Sequence, residues 1–174
     1  MKKNIVLVGF MGTGKSAVGK RLAEKLKKKY LDTDEMVQQV AGISIEKIFS
    51  KFGEVRFRSE ERLAVNRASS YQNVIIATGG GAILDDENMR DLKKNGIVIC
   101  LKARPEVIQE RIGRRDNRPL LKKDKSLEHI RELLKEREKF YAKADHGIDT
   151  SEMEIEEIVE AVLEYVKGRE KKGE

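Results

Sequence analysis

Apolar residues along this chain form short continuous runs separated by longer segments with three- and four-residue spacing. Ile5-Val6-Leu7-Val8, Val74-Ile75-Ile76-Ala77 and Gly96-Ile97-Val98-Ile99-Cys100-Leu101 are the clearest runs. Such runs read as strands buried on both faces, which is the habit of parallel sheets. The pattern predicts strands at 4–8, 30–32, 74–78, 96–101 and 146–149. Between them Val18, Leu22 and Leu26 recur every fourth residue, as do Ile130 and Leu134, with Tyr141 one turn-multiple further on. Pro105, with Glu106 beside it and Val107, Ile108 and Ile112 following, marks the first turn of another helix. Ile155, Ile158, Val159, Val162, Leu163 and Val166 form the stripe of a final helix that packs on the sheet. Strands alternating with helices define an α/β chain with crossover connections.

Two segments break that rhythm. Residues 34–70 read as a helical insertion between the second and third strands, and residues 113–125 as a basic stretch containing Pro119. Insertions at the strand ends of an open α/β sheet are where ligands bind, so the chemistry belongs there. The sequence therefore divides into a core (1–33, 71–112 and 126–174), an insertion and a loop, within one domain of 174 residues.

Composition narrows the possibilities. A net charge of +6 points to anionic partners, which include nucleotides, carboxylates and nucleic acid alike. Nine Phe and Tyr residues, with no Trp, leave little for a base-stacking surface, which disfavours nucleic acid. Cys100 is the sole cysteine, which excludes an intramolecular disulfide and a thiolate metal cluster, and its apolar run predicts a buried small side chain. Neither a signal peptide nor an apolar stretch near 18 residues is present, so the expectation is a soluble, cytoplasmic protein with no membrane partner.

The strongest motif is Gly9-Phe10-Met11-Gly12-Thr13-Gly14-Lys15-Ser16, placed directly after the first strand and opening a helix. This is the phosphate-binding loop G-x-x-x-x-G-K-[ST] in its proper context. Successive backbone N–H groups and a helix N-terminus embrace the phosphates, Lys15 reaches the terminal ones, and the Ser16 hydroxyl holds Mg2+. The chain binds a nucleoside triphosphate on this reading. Asp32-Thr33-Asp34 ends the second strand, with two carboxylates at i and i+2 facing one side of an extended chain. One can assist Mg2+ through water and the other can take a proton from an attacking hydroxyl. A simple helix cap, with Asp34 preceding a helix at 35–41, accounts for one acid at most.

Gly79-Gly80-Gly81 follows the third strand and offers bare backbone to a ligand. Arg58 lies inside the insertion, where an exposed, solvated arginine is the ordinary alternative. Arg137 falls on the inward face of the helix at 127–141, where a guanidinium needs an anion: a ligand carboxylate or a neighbouring glutamate. The basic stretch carries Arg114, Arg115, Arg118, Lys122, Lys123 and Lys125 against two acids, a repulsive arrangement that an arriving polyanion relieves.

The phosphate loop, Asp32-Thr33-Asp34, Phe57-Arg58 with Glu61, Gly79-Gly80-Gly81, Arg118-Pro119-Leu120 and Arg137 occur in an order and spacing that resemble the shikimate kinase family, from Gly9 to about Thr150. The resemblance implies a three-layer P-loop kinase fold with a five-stranded parallel sheet, a substrate-binding insertion at 34–70 and a mobile lid at 113–125. It implies transfer of the ATP γ-phosphoryl group to the 3-hydroxyl of shikimate, on the route to chorismate and aromatic amino acids. Carried over by position, Gly12, Thr13, Gly14, Lys15, Ser16 and Ala17 bind ATP, with Arg111 near the adenine and Arg118 closing over the phosphates. Ser16 and Asp32 serve Mg2+. Asp34 grips the substrate hydroxyls and takes the proton, Arg58 and Arg137 clamp the carboxylate, and Gly79, Gly80 and Gly81 line the ring side. The implied partners are shikimate and ATP, with no nucleic acid and with the chain as a monomer. Gly53-Glu54-Val55-Arg56 departs from the family, which often has an aromatic residue shortly after that glycine. A gluconate-type or nucleoside-monophosphate kinase of the same fold is the alternative among kinases, and a nucleotide switch or nucleic-acid ATPase the alternative outside them.

Overall fold

The computed structural model describes residues 3–113 and 124–172. Five parallel strands run β1 (Asn4–Val8), β2 (Tyr30–Asp32), β3 (Ile75–Ala77), β4 (Gly96–Lys102) and β5 (His146–Asp149), in the order β2-β3-β1-β4-β5. The helices are α1 (Lys15–Leu26), α2 (Thr33–Ala41), α3 (Ile45–Ser70), α4 (Asp86–Asn95), α5 (Pro105–Gly113), α6 (Leu127–Tyr141) and α7 (Ile155–Lys172). The strand reading holds to within a residue at each end. β3 is shorter than 74–78 because Asn73 turns with φ 59° and the Val74 N–H is taken by Asn4 Oδ1 at 3.0 Å.

Alternation along the strands sorts the core into two layers. Val6, Val8, Ile76, Val98 and Cys100 face α3, α4, α5 and α6, meeting Val65, Leu92, Ile108 and Ile130. Ile5, Leu7, Ile75, Ile97 and Ile99 face α1 and α7, meeting Val18, Leu22, Val159 and Val162. The sheet is thus covered on both sides, as its continuous apolar runs require. A third, smaller cluster of Val37, Ile48, Phe57 and Ala64 holds α2 against α3. Cys100 is buried, as its run predicts. Helix α4 answers to no apolar periodicity noted in the sequence, since buried Asn88 interrupts its stripe and donates to the Ala82 carbonyl at 2.9 Å. No helix among the described residues is long and apolar enough to cross a membrane.

Register fixes where the loops emerge. Leu7 and Asp32 both pair with Ala77, so β1, β2 and β3 end level with one another. The phosphate loop, the start of α2 and the triple glycine therefore leave the sheet along one rim, at its C-terminal edge.

Candidate active site

Strand β1 ends in the loop 9–14, and three of its glycines adopt positive φ: Gly9 at 141°, Gly12 at 78° and Gly14 at 98°. A Cβ on Gly9 would meet the Leu101 carbonyl oxygen at 2.2 Å, so this position admits only glycine. Gly14, in the left-handed region, hands the chain into α1. Lys15 is buried, and its ammonium donates to the carbonyls of Gly9 (2.7 Å) and Phe10 (2.9 Å). Thr13 Oγ1 donates to the Phe10 carbonyl at 2.8 Å, which tightens the same turn.

Asp32 divides its two oxygens between two tasks. Oδ1 accepts from the backbone N–H groups of Asp34 (2.9 Å) and Glu35 (3.3 Å) and so caps α2. Oδ2 accepts from Ser16 Oγ at 3.3 Å and from the Tyr30 hydroxyl at 3.1 Å. Two sequence expectations change here. The cap is Asp32 and not Asp34, because the strand gives way to helix at Thr33, two residues before the expected start at 35. Asp34 consequently projects from the first turn of α2 and not from a strand. Both carboxylates still line the same cleft. Burial and then the adjacent Asp32 carboxylate push the Tyr30 phenol well above its ordinary value, so it stays a hydrogen-bond donor.

That cleft has a volume of about 940 Å³. At one end lie Gly12, Thr13, Gly14, Lys15, Ser16, Ala17 and Arg111; at the other lie Asp34, Arg58, Glu61 and Gly79, Gly80 and Gly81. Close packing joins the parts at the second end. A Cβ on Gly79 would stand 2.5 Å from Asp34 Oδ1, and one on Gly81 would stand 2.6 Å from both terminal nitrogens of Arg58. Gly79 N–H donates to Thr33 Oγ1 at 3.2 Å, which ties the glycine loop to the start of α2.

Arg58 is only partly exposed, and it is held from within. Its Nη1 donates to Glu61 Oε1 at 2.8 Å, and Nη2 reaches Glu54 Oε1 at 3.4 Å. Glu61 is 2% exposed, and burial pushes its carboxyl up to about 7, against the opposing pull of Arg58. Asp34 raises it further and Arg137 lowers it, so the Glu61 carboxyl senses all three neighbouring charges. Arg137 is buried over the Phe10 ring at 5.2 Å, and Tyr141 beside it donates to the Gly80 carbonyl at 3.2 Å. Arg137 Nη1 and Glu61 Oε2 are buried without a hydrogen-bond partner among the described residues. Arg137 adjoins the cleft wall through these neighbours without itself lining the cavity.

Arg111 bridges two loops. It donates to the Gly12 carbonyl (3.2 Å), to Thr150 Oγ1 (3.2 Å) and to the Thr150 carbonyl (3.0 Å). Thr150 is wholly buried and donates in turn to the Thr13 carbonyl at 3.1 Å, so Arg111 braces the phosphate loop against the end of β5. Val55, in the stretch Gly53-Glu54-Val55-Arg56 that departs from the family, is 82% exposed and takes no part in the cleft, whose aromatic wall is the Phe49–Phe57 pair 4.7 Å apart. Arg118 and most of the segment 113–125 lie outside the described residues. Sequence reasoning missed Tyr30, Thr33, Tyr141 and the central place of Glu61. Tyr30 sits two residues before Asp32 on the same strand, and Glu61 follows Arg58 by three on a helix, so both signals were present in the spacing.

A glycine-rich loop opening a helix at the middle strand of a parallel sheet, with charged groups gathered along the same rim, defines a P-loop kinase of the α/β class. The family model for shikimate kinase matches residues 11–167, and the chain belongs to the shikimate kinase family. The shikimate kinase of Caldanaerobacter subterraneus subsp. tengcongensis is 51% identical over 166 residues, covering 95% of this chain and 97% of that one. That of Pelotomaculum thermopropionicum is 48% identical over 165 residues, with 95% and 96% covered. The solved structure of shikimate kinase from Acinetobacter baumannii in complex with shikimate matches with a TM-score of 0.92 at 37% identity, covering 97% of this chain and 95% of the other.

Proposed function

We propose that the protein transfers the γ-phosphoryl group of ATP to the 3-hydroxyl of shikimate. The observation that carries this reading is the pairing of two differently built ends in one cleft. The loop 12–16 offers backbone N–H groups and a lysine to a polyphosphate, and Arg58, Glu61 and Asp34 stand at the other end beside bare glycine backbone. A small hydroxylated carboxylate suits that second end. Arg58 and Arg137 supply its counter-charge, and the buried Nη1 of Arg137 gains an acceptor when a carboxylate arrives.

Phosphoryl transfer depends on positioning and charge neutralisation more than on covalent chemistry. Gly12, Thr13 and Gly14 cradle the phosphates, Lys15 supplies positive charge to the transferring group, and Ala17 continues the cradle into α1. Asp34 orients the substrate hydroxyl and accepts its proton, while Gly79, Gly80 and Gly81 let the ring approach closely. Ser16 and Asp32 are the residues that fit Mg2+. Hydroxyl and carboxylate stand 3.3 Å apart in the cleft, and no group of three or more His, Cys, Asp or Glu among the described residues makes a cage of its own. Such a sparse oxygen set matches an ion that shares its coordination with phosphates and water. Held there, Mg2+ would neutralise phosphate charge during transfer. The division into core, substrate-binding insertion at 34–70 and lid at 113–125 is part of the same reading. It is supported by the separate apolar cluster that α2 and α3 share. Arg118 serves from the lid, Arg111 beside the nucleotide, and the enzyme works as a cytoplasmic monomer.

Assays of ADP release from purified protein with shikimate, gluconate and nucleoside monophosphates test the assignment. Turnover is expected with shikimate; preference for gluconate or a nucleotide overturns it.

A further inference from the structure

Tyr30 is absorbed by none of the roles above, yet its hydroxyl lies at the centre of the polar group beneath the phosphate loop. It donates to Asp32 Oδ2 at 3.1 Å, the same oxygen that accepts from Ser16 Oγ at 3.3 Å. The other oxygen of Asp32 is committed to the N-terminus of α2. The carboxylate is therefore fixed at both ends. Without the phenol, Oδ2 would keep only the long contact to Ser16, and rotation about the last side-chain bond would be resisted by the cap alone.

The ring itself is seated deliberately. A Cβ on Gly19 would come within 2.7 Å of Tyr30 Cε2, and Gly19 stands one turn after Ser16 in the middle of α1. A mid-helix glycine is less favourable than alanine. Here it opens the space that brings the phenol against the helix carrying Ser16. Ring, carboxylate and serine hydroxyl are thus one packed unit spanning β2 and α1.

We propose that Tyr30 is a positioning residue for the metal site: its hydroxyl holds Asp32 Oδ2 toward Ser16, and so tunes the affinity of the nucleotide-bound enzyme for its divalent cation. This rests on the reading of Ser16 and Asp32 as the residues that serve Mg2+. Groups that orient a metal's own ligands typically change its affinity by roughly 10- to 100-fold when removed. Tyr30 touches Asp32 by one hydrogen bond that is long at 3.1 Å, so the lower end of that range applies.

The test compares wild type with Tyr30→Phe, which keeps the ring in the space over Gly19 and removes only the hydroxyl. Mn2+ is titrated by electron paramagnetic resonance into each protein with ADP present, and ADP binding is measured separately in EDTA. The variant is expected to bind Mn2+ on the order of tenfold more weakly, with metal-free ADP binding and melting temperature unchanged. In steady state the Mg2+ activation constant rises while KM for shikimate stays put. Equal Mn2+ affinity in the two proteins overturns the role of Tyr30. If wild type shows no gain in Mn2+ binding from the ADP complex, the metal reading of Ser16 and Asp32 fails first. Should Tyr30→Phe lower the melting temperature, Asp32→Asn alone and combined with it decides. Non-additive losses of Mn2+ affinity support the proposal, and additive losses overturn it.

Discussion

Glu61 Oε1 accepts a 2.8 Å hydrogen bond from Arg58 Nη1 while its other oxygen is buried without a partner among the described residues. The pair therefore sets a partly exposed guanidinium against a buried carboxyl at the same end of the cleft. Its carboxyl, raised by burial to about 7, changes charge within the working range of pH. As pH rises through that value, ionised Glu61 neutralises Arg58 more fully and competes with a substrate carboxylate. KM for shikimate is expected to climb between pH 6 and 8 (ordinary working values, about one unit either side of the midpoint), and Glu61→Gln to flatten the profile. A profile of unchanged shape in the variant would show that another group controls it.

The same group sets a stability trend. Because the folded-state value lies above the ordinary 4.5, the folded chain holds a proton that the unfolded chain has released. Stability contributed by this proton is present below the unfolded value and is lost as pH rises from about 4.5 toward about 7. Denaturant midpoints for wild type should fall over that window relative to Glu61→Gln. Parallel curves for the two proteins would refute the assignment.

Asp34→Asn removes the proposed proton acceptor and no phosphate contact. Turnover is expected to fall by about 100-fold or more, with ATP affinity near that of wild type by calorimetry. Retention of most of the turnover would move the acceptor role elsewhere.

The glycine loop offers a comparison of two one-methyl changes. Gly81→Ala places its methyl against the Arg58 guanidinium, and Gly79→Ala places one against the Asp34 carboxylate. Both neighbours are ends of side chains and can shift, so both variants should fold. Gly81→Ala is expected to raise KM for shikimate and Gly79→Ala to lower kcat, each by on the order of 10- to 100-fold. The reverse split would exchange the roles of Arg58 and Asp34.

Arg58→Ala and Arg137→Ala should weaken shikimate binding by about 2–5 kcal/mol, the cost of leaving a desolvated carboxylate without its partner. ATP binding is expected to be unaffected in both. Unchanged shikimate affinity for Arg137→Ala would mean that its burial over Phe10 serves packing alone.

Much of this site was legible because its parts are local. The phosphate loop must present consecutive N–H groups, so its residues are consecutive in sequence, and the strand and helix around it announce themselves by period. The sheet was legible for the same reason: strands covered on both faces cannot avoid continuous apolar runs. What spacing did not reveal depends on the fold's closure. Spacing pairs Glu61 with Arg58, but its burial shows only once Phe57 and Ala64 carry that face inward. The exchange of cap between Asp34 and Asp32 turned on where α2 begins, at Thr33 directly after the strand and not at 35, which β-type residues at Tyr30 and Leu31 do not decide. Helix α4 was hidden because its inward face includes Asn88, whose amide donates to the Ala82 carbonyl in the turn just before the helix.

Helix α3 bends at Gly53, whose φ of 80° and ψ of 175° no ordinary side chain adopts readily, and then continues to Ser70. Beyond the bend one rod carries Arg58 and Glu61 at the cleft and Val65 and Ala68 deep against the sheet. The proposed substrate grip and the structural anchoring are therefore machined from one piece. A core variant that tilts this rod by a fraction of an ångström will be read first as altered selectivity, so drift in the interior of such enzymes is policed by what they must recognise.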